Sequence, residues 1–211
     1  MRIRSTRLER TAMQDDARTA RELQIEAAAY ALLAEKGYKA TTMLAIAKRA
    51  KASNETLYKW YGNKQTLFLR MVERNARSAR ETLQDSLTRD APLADVLDRL
   101  GPALLQLVTG ERAVALNRAA VGDVHDTGSL GQTIARGGRN SIAPLLTRLI
   151  EAEIARHGLS SGMAADAAAD LYLDLLIGDL QIRRAIGVLD PPDAQTVAAR
   201  AVRAKQVLLA Q

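Results

Sequence analysis

Residues 41–61 read TTMLAIAKRAKASNETLYKWY, and the spacing of apolar groups in this stretch decides the fold. Met43, Ile46, Ala47 and Ala50 fall on one side of a short helix that the Thr41-Thr42 pair caps. Lys51-Ala52 interrupts it, and Ser53 is a good N-cap for a second short helix running to about Trp60. A helix of about two turns does not hold itself together in water. Leu57 and Tyr61, four apart, therefore have to be buried against neighbouring elements, which leaves Asn54, Thr56, Tyr58 and Lys59 facing outward. Large rings suit this task because the ring packs while its polar tip bonds. Six of the seven aromatic residues accordingly lie between Tyr30 and Phe68, and Tyr172 stands alone.

On the N-terminal side, residues 17–36 carry Ile25, Ala28, Ala29, Leu32 and Leu33 at helical spacing, with Gly37 as the stop. Gly62-Asn63 closes the short pair, and a long helix is predicted over 64–90 with Phe68, Met71, Val72, Ala76, Ala79, Leu83 and Leu87 as its buried stripe. Further helices are predicted over about 92–109 with a kink at Gly101-Pro102, over 111–121, over 129–157 with disturbances at Gly137-Gly138 and Pro144, over 163–186 and over 193–210. Ala and Leu are abundant and β-branched runs are absent. The expected fold class is all-α: an N-terminal three-helix helix-turn-helix domain followed by a C-terminal helical bundle, about nine helices in all.

Composition narrows the function classes. With 47% hydrophobic and 26% charged residues the chain is of the folded, water-soluble kind, and its longest apolar run, Ala27 to Ala34, is far too short to span a bilayer. There is no cysteine, which removes disulfides, thiolate metal sites and thiol redox chemistry; with no apolar segment near Met1, the expected location is the cytoplasm. Residues 1–80 hold 17 Lys+Arg against 8 Asp+Glu, whereas the remaining 131 hold 13 against 16. A basic first third joined to a mildly acidic remainder predicts one module for a polyanion and another for something else. Membrane lipid fits poorly, because the early basic residues are not set out on an amphipathic helix with exposed bulky apolar groups.

A short helix, a tight break and a second short helix behind a longer one is the spacing of a helix-turn-helix, whose second helix enters the major groove of DNA. The stretch AAAYALLAEKGYKATTMLAIAKRAKASNETLYKWYGNKQTLF, from Ala27 to Phe68, resembles the N-terminal domain of TetR-type transcriptional regulators. The resemblance rests on the ordered set Ala28-Ala29, Gly37-Tyr38, Thr41-Thr42, Ile46-Ala47, Ala50, Ser53, Thr56-Leu57-Tyr58, Tyr61, Lys64 and Leu67-Phe68. That family usually has Gly-Val where this chain has Lys51-Ala52, a small residue at Glu55 and often a His at Trp60. The resemblance places Thr42 and Lys64 at helix N-termini facing phosphate, the alternative being a plain cap and a solvated lysine. Asn54, Glu55 and Thr56 are the candidates for reading bases, against a merely solvated polar face. Tyr58 and Lys59 are assigned to phosphate, Trp60 keeps an N–H donor within reach of phosphate, and Ser53 is a DNA-facing cap or only a cap. Arg2, Arg4, Arg7 and Arg10 form a basic arm over 1–16 that enters a minor groove or stays a tail. The expected division is then a DNA-binding domain over 17–64, a connecting helix over 65–90 and a ligand-binding and dimerisation domain over 91–211.

The resemblance further implies a ligand-responsive repressor, a homodimer on a palindromic operator, released by a largely apolar small molecule. A basic architectural DNA-binding protein without effector is the alternative. Candidate cavity residues are Leu104, Leu105, Val108, Leu116, Ile142, Leu146, Ile150 and Tyr172, with Arg118, His125 and Arg139 as polar partners. Small and apolar residues three and four apart mark a candidate dimer seam: Ala164, Ala168, Leu171, Leu175, Gly178 and Ile182 on one helix, Val197, Ala201, Ala204, Val207 and Leu208 on the next. Burial of that same stripe within one subunit is the competing reading. One loop histidine, His125, with neighbouring carboxylates does not make a metal site. Asp166, Asp170 and Asp174 read as a polar stripe. No nucleophile–base order or phosphate loop is present, so neither an enzyme nor a cofactor is expected.

Overall fold

A computed structural model describes the backbone of residues 3–157 and 162–210, and the side chains of residues 16–157 and 162–210. Arg2, the side chains of Arg4, Arg7 and Arg10, and most of the separator expected at 158–162 lie outside the described residues. Among the described residues every element is a helix: α1 (Ile3–Ala40), α2 (Met43–Arg49), α3 (Asn54–Tyr61), α4 (Lys64–Asn75), α5 (Arg77–Thr88), α6 (Leu93–Thr109), α7 (Glu111–Asp123), α8 (Ser129–Gly137), α9 (Arg139–His157), α10 (Ala165–Ile177), α11 (Leu180–Ala185) and α12 (Ala194–Leu209). The all-α class holds. The count rises from about nine to twelve because three expected long helices are each divided, at Ala76, Gly138 and Gly178. The basic arm expected over 1–16 is helical backbone from Ile3, since no glycine or proline interrupts the sequence between Ile3 and Lys36. Gly37 is the break, with φ 72° and ψ 176°, a conformation that a residue with a Cβ enters only at a cost.

The chain forms two compact units, Met1–Leu67 and Phe68–Gln211. The first buries Ile25, Ala29, Leu32 and Leu33 of α1 with Met43, Ile46 and Ala47 of α2 and Leu57 and Tyr61 of α3. Arg21 of α1 donates from Nη1 to the Ala50 carbonyl at 3.3 Å, tying the first helix to the end of the second.

In the second unit α6 is the central element, packed against α5, α7, α9, α10, α11 and α12. Its Leu93, Val96, Leu97, Leu100, Leu104 and Leu105 are almost wholly removed from water. Pro102 sits inside α6 and Pro144 inside α9 without ending either helix. The segment expected as a connecting helix over 65–90 is instead two helices, and Ala76, Ala79 and Leu83 belong to the core of the second unit. No glycine or proline marks that division.

The candidate dimer stripe needs correction. Ala168, Val197, Ala201, Ala204 and Leu208 are at most 5% exposed in the single chain, packed in the core that α6 centres. A spacing of three and four identifies a face that will be covered, not what covers it, and here the chain's own core does. Leu171, Leu175 and Val207 are half-buried, while Ala164, Gly178 and Ile182 stay exposed, so these members of the set remain open to a partner. Helices α6 and α12 are tightly packed at Gly101, where an added Cβ would lie 2.9 Å from the Ala201 Cβ and 2.9 Å from the Tyr172 hydroxyl oxygen. This yields a prediction with an unusual sign. In an ordinary helix interior Gly→Ala stabilises by about 1 kcal/mol. At position 101 the crowding of α12 and Tyr172 outweighs that gain, and Gly101→Ala lowers the urea unfolding free energy by ~1–2 kcal/mol; an increase would show that α12 stands further off.

Candidate nucleic-acid interface and C-terminal cavity

The first unit holds α3 in place with caps as well as packing. Thr42 accepts from the Ala45 amide at 3.1 Å, and Ser53 accepts from the Thr56 amide at 2.9 Å and pairs with the Thr56 hydroxyl at 2.7 Å. Asn63, which sequence reasoning treated only as a breaker, caps α4 by accepting from the Thr66 amide at 2.8 Å. The turn between α2 and α3 closes with Ala52 N–H on the Ala47 carbonyl at 3.0 Å and Lys51 N–H on the Lys48 carbonyl at 3.3 Å. That pair of bonds is the Schellman arrangement, whose C′ residue is left-handed and most often glycine. Lys51 occupies it with φ 51°.

With Leu57 and Tyr61 buried, Asn54, Glu55, Tyr58 and Lys59 are exposed on the far side of α3. Thr56 and Trp60 are half-buried, and the Thr56 hydroxyl is engaged by Ser53. Trp60 carries the Arg18 guanidinium over its ring, 5.3 Å from the centroid, so α1 sets a cation beside α3. Arg18 was not among the expected contacts, because ring stacking between residues so far apart in sequence leaves no local pattern. Lys64 lies 4.0 Å over the Tyr38 ring and donates to the Tyr38 carbonyl at 2.9 Å, which fixes its ammonium at the start of α4. Arg49 pairs with Glu35 at 2.6 Å, and the Arg49 hydrogen bond holds the Glu35 carboxyl below the usual range.

The second unit contains a cavity of about 360 Å³, within the size range of small-molecule sites. Val72, Leu104, Leu107, Val108, Leu116, Ile134, Ile142, Leu173 and Ile177 give it an aliphatic wall, and Asn75, Asn117, Arg139, Asp174 and Gln181 supply the polar groups. Of the candidate cavity residues, Leu104, Val108, Leu116, Arg139 and Ile142 line this space. The other candidates do not. Leu105, Leu146, Ile150 and Tyr172 are wholly buried in the core rather than on the cavity wall, and burial pushes the Tyr172 hydroxyl pKa up. Arg118 donates to the Ala185 carbonyl at 2.6 Å and the Arg184 carbonyl at 3.2 Å, closing the end of α11. His125 is exposed in the turn after α7. Among the described residues no group of three or more His, Cys, Asp or Glu is placed to hold a metal, and no helix is long and apolar enough to cross a membrane. Asn117 and Gln181 were missed, since a lone amide within a helix carries no spacing signal.

A capped two-helix unit with a polar outward face, followed by a helical domain with an apolar cavity, defines a helix-turn-helix regulator. The family description "Bacterial regulatory proteins, tetR family" matches residues 25–71, and "AefR-like transcriptional repressor, C-terminal domain" matches residues 95–211. The chain belongs to the TetR family of transcriptional regulators. Over 45 residues it is 51% identical to the HTH-type transcriptional regulator YdeS of Bacillus subtilis (strain 168), a match covering 21% of this chain and 23% of that protein. A TetR transcriptional regulator from Agrobacterium tumefaciens has the same fold with a TM-score of 0.65 at 29% identity, over 90% of this chain and 92% of its own. The transcriptional regulator FadR from Bacillus subtilis, solved in complex with stearoyl-CoA, gives a TM-score of 0.63 at 17% identity, over 89% and 97%.

The left-handed Lys51 supplies a direct check on the turn. Replacing it with glycine removes the Cβ penalty and raises the stability of the first unit by about 0.5–1 kcal/mol, while Lys51→Val lowers it. Chemical denaturation followed by Trp60 fluorescence reads both, and a destabilising Lys51→Gly would mean the turn is not built as described.

Proposed function

We propose that this chain is a ligand-responsive repressor that binds an inverted-repeat operator as a homodimer and leaves it when a largely apolar molecule fills the C-terminal cavity. The cavity carries the reading: a DNA anchor alone has no use for an aliphatic space of about 360 Å³ in a separate unit. The stearoyl-CoA held by a regulator of the same fold supports it. In this reading Asn54 and Glu55 read base edges, and Thr42, Tyr58, Lys59 and Lys64 hold phosphate. Ser53, Thr56 and Trp60 act by keeping that face rigid. Two recognition helices related by a dyad read half-sites about 34–36 Å apart or a multiple of it. The open apolar residues of α10 and α11, Leu171, Leu175 and Ile182, are the surface offered to the second copy. Helix α4 begins at Lys64 and carries Val72 and Asn75 into the cavity wall, which makes it the element a ligand would shift. Release then requires the ligand to favour one arrangement of α4 over the other.

Sequencing the genomic fragments that the protein retains tests the DNA half of the reading, with an inverted repeat as the expected result. Titrating apolar compounds against that complex tests the other half. Ala113→Phe, which fills the cavity from α7, is expected to keep operator affinity within about twofold and to blunt ligand release at least tenfold, an effect of about 1.4 kcal/mol. Retention of fragments with no shared sequence would favour the architectural reading instead.

A further inference from the structure

The polar groups of the cavity carry the proposal one step further, to the charge of its ligand, on the footing that the cavity is a ligand site. Among the described residues lining it, Arg139 is the one cation and Asp174 the one anion. Arg139 Nη2 pairs with Asp170 Oδ1 at 2.6 Å, and its Nη1 lies 3.9 Å from Asp174 Oδ1. The guanidinium is therefore already faced by two carboxylates. An anionic ligand would have to share Arg139 with both of them, and a cationic one would meet Arg139 beside Asp174. Arg139, Asp170 and Asp174 are themselves largely open to solvent, so a full charge carried past them into the aliphatic space loses its hydration with little return.

An uncharged ligand has a defined polar partner. Asn117 of α7 belongs to the cavity wall, and its Nδ2 donates to the Ala113 carbonyl at 2.8 Å. Because a carbonyl only accepts, this bond fixes which end of the amide is nitrogen, so Asn117 still has Oδ1 as an acceptor and its second Nδ2–H as a donor to offer. Gln181, half-buried on α11, adds a second amide to the same wall. We propose that the cavity takes an uncharged, apolar molecule bearing a hydroxyl or comparable hydrogen-bond donor, and that Asn117 is the residue that selects for the donor.

Four eight-carbon probes separate the possibilities when their binding to the full chain is measured by calorimetry at pH 7: 1-octanol, octyl methyl ether, octylamine and octanoate. Octanol is expected to bind about three- to tenfold more tightly than the ether, the range of one net hydrogen bond, and at least tenfold more tightly than either ion. Asn117→Leu keeps the branched shape of the side chain without its polar atoms and is expected to erase the preference for octanol over the ether. An ion that binds as tightly as octanol overturns the assignment of charge, and a preference for octanol that survives Asn117→Leu overturns the role of Asn117. Failure of all four to bind overturns the cavity as a ligand site along with this proposal, an outcome distinct from the wrong order among ligands that do bind.

Discussion

Leu57 and Tyr61, buried at 0% and 6% exposure, are the anchorage on which the DNA-facing part of the molecule depends. Helix α3 has eight residues, and at that length nucleation costs more than the few internal hydrogen bonds return. Burying two large side chains four positions apart tips the balance and fixes the rotation of the helix in the same step. Once that face is pinned, Asn54, Glu55, Tyr58 and Lys59 have nowhere to point but outward. The caps from Thr42, Ser53 and Asn63 complete the arrangement by taking up amides that each helix start leaves unpaired. The Schellman turn at Lys51 sets the angle between α2 and α3 at the expense of a left-handed lysine.

The second unit solves a different problem along a single helix. Around Gly101, α6 approaches α12 so closely that no methyl group fits between them. One turn later, Leu104, Leu107 and Val108 of the same helix face open space. Dense packing and open space thus lie along the same helix. Arg184, buried and donating to the Thr109 carbonyl at 3.1 Å and the Leu189 carbonyl at 2.8 Å, holds α11 to the junction of α6 and α7 and closes this side of the unit.

Much of this was legible beforehand, for physical reasons that differ by region. The short helices could be read because caps and breakers are local chemistry: Thr42 and Ser53 cap where expected, and Gly37 breaks where expected. Part of the cavity wall could be read because Leu104, Val108 and Leu116 are apolar on long helices. The division at Ala76 could not be read, since no residue there announces it. Ala168, Val197, Ala201, Ala204 and Leu208 have the spacing of a covered face, and spacing does not distinguish a partner subunit from the chain's own core. Arg118 and His125 looked like pocket polar groups only because charge in a helical domain has several uses, of which closing a helix end is the commoner.

The central claim is that the outward face of α3 reads bases, with phosphate held by its surroundings. Its most direct test is the affinity of wild type and Glu55→Ala for an operator and for a scrambled duplex of equal length, at one fixed salt concentration. Removing the hydrogen bond to a single base costs about 1–3 kcal/mol on the operator and leaves the scrambled duplex nearly untouched, so the ratio of affinities falls. Equal changes on both duplexes would contradict the account, and would place Glu55 in the general field of the phosphates rather than against a base.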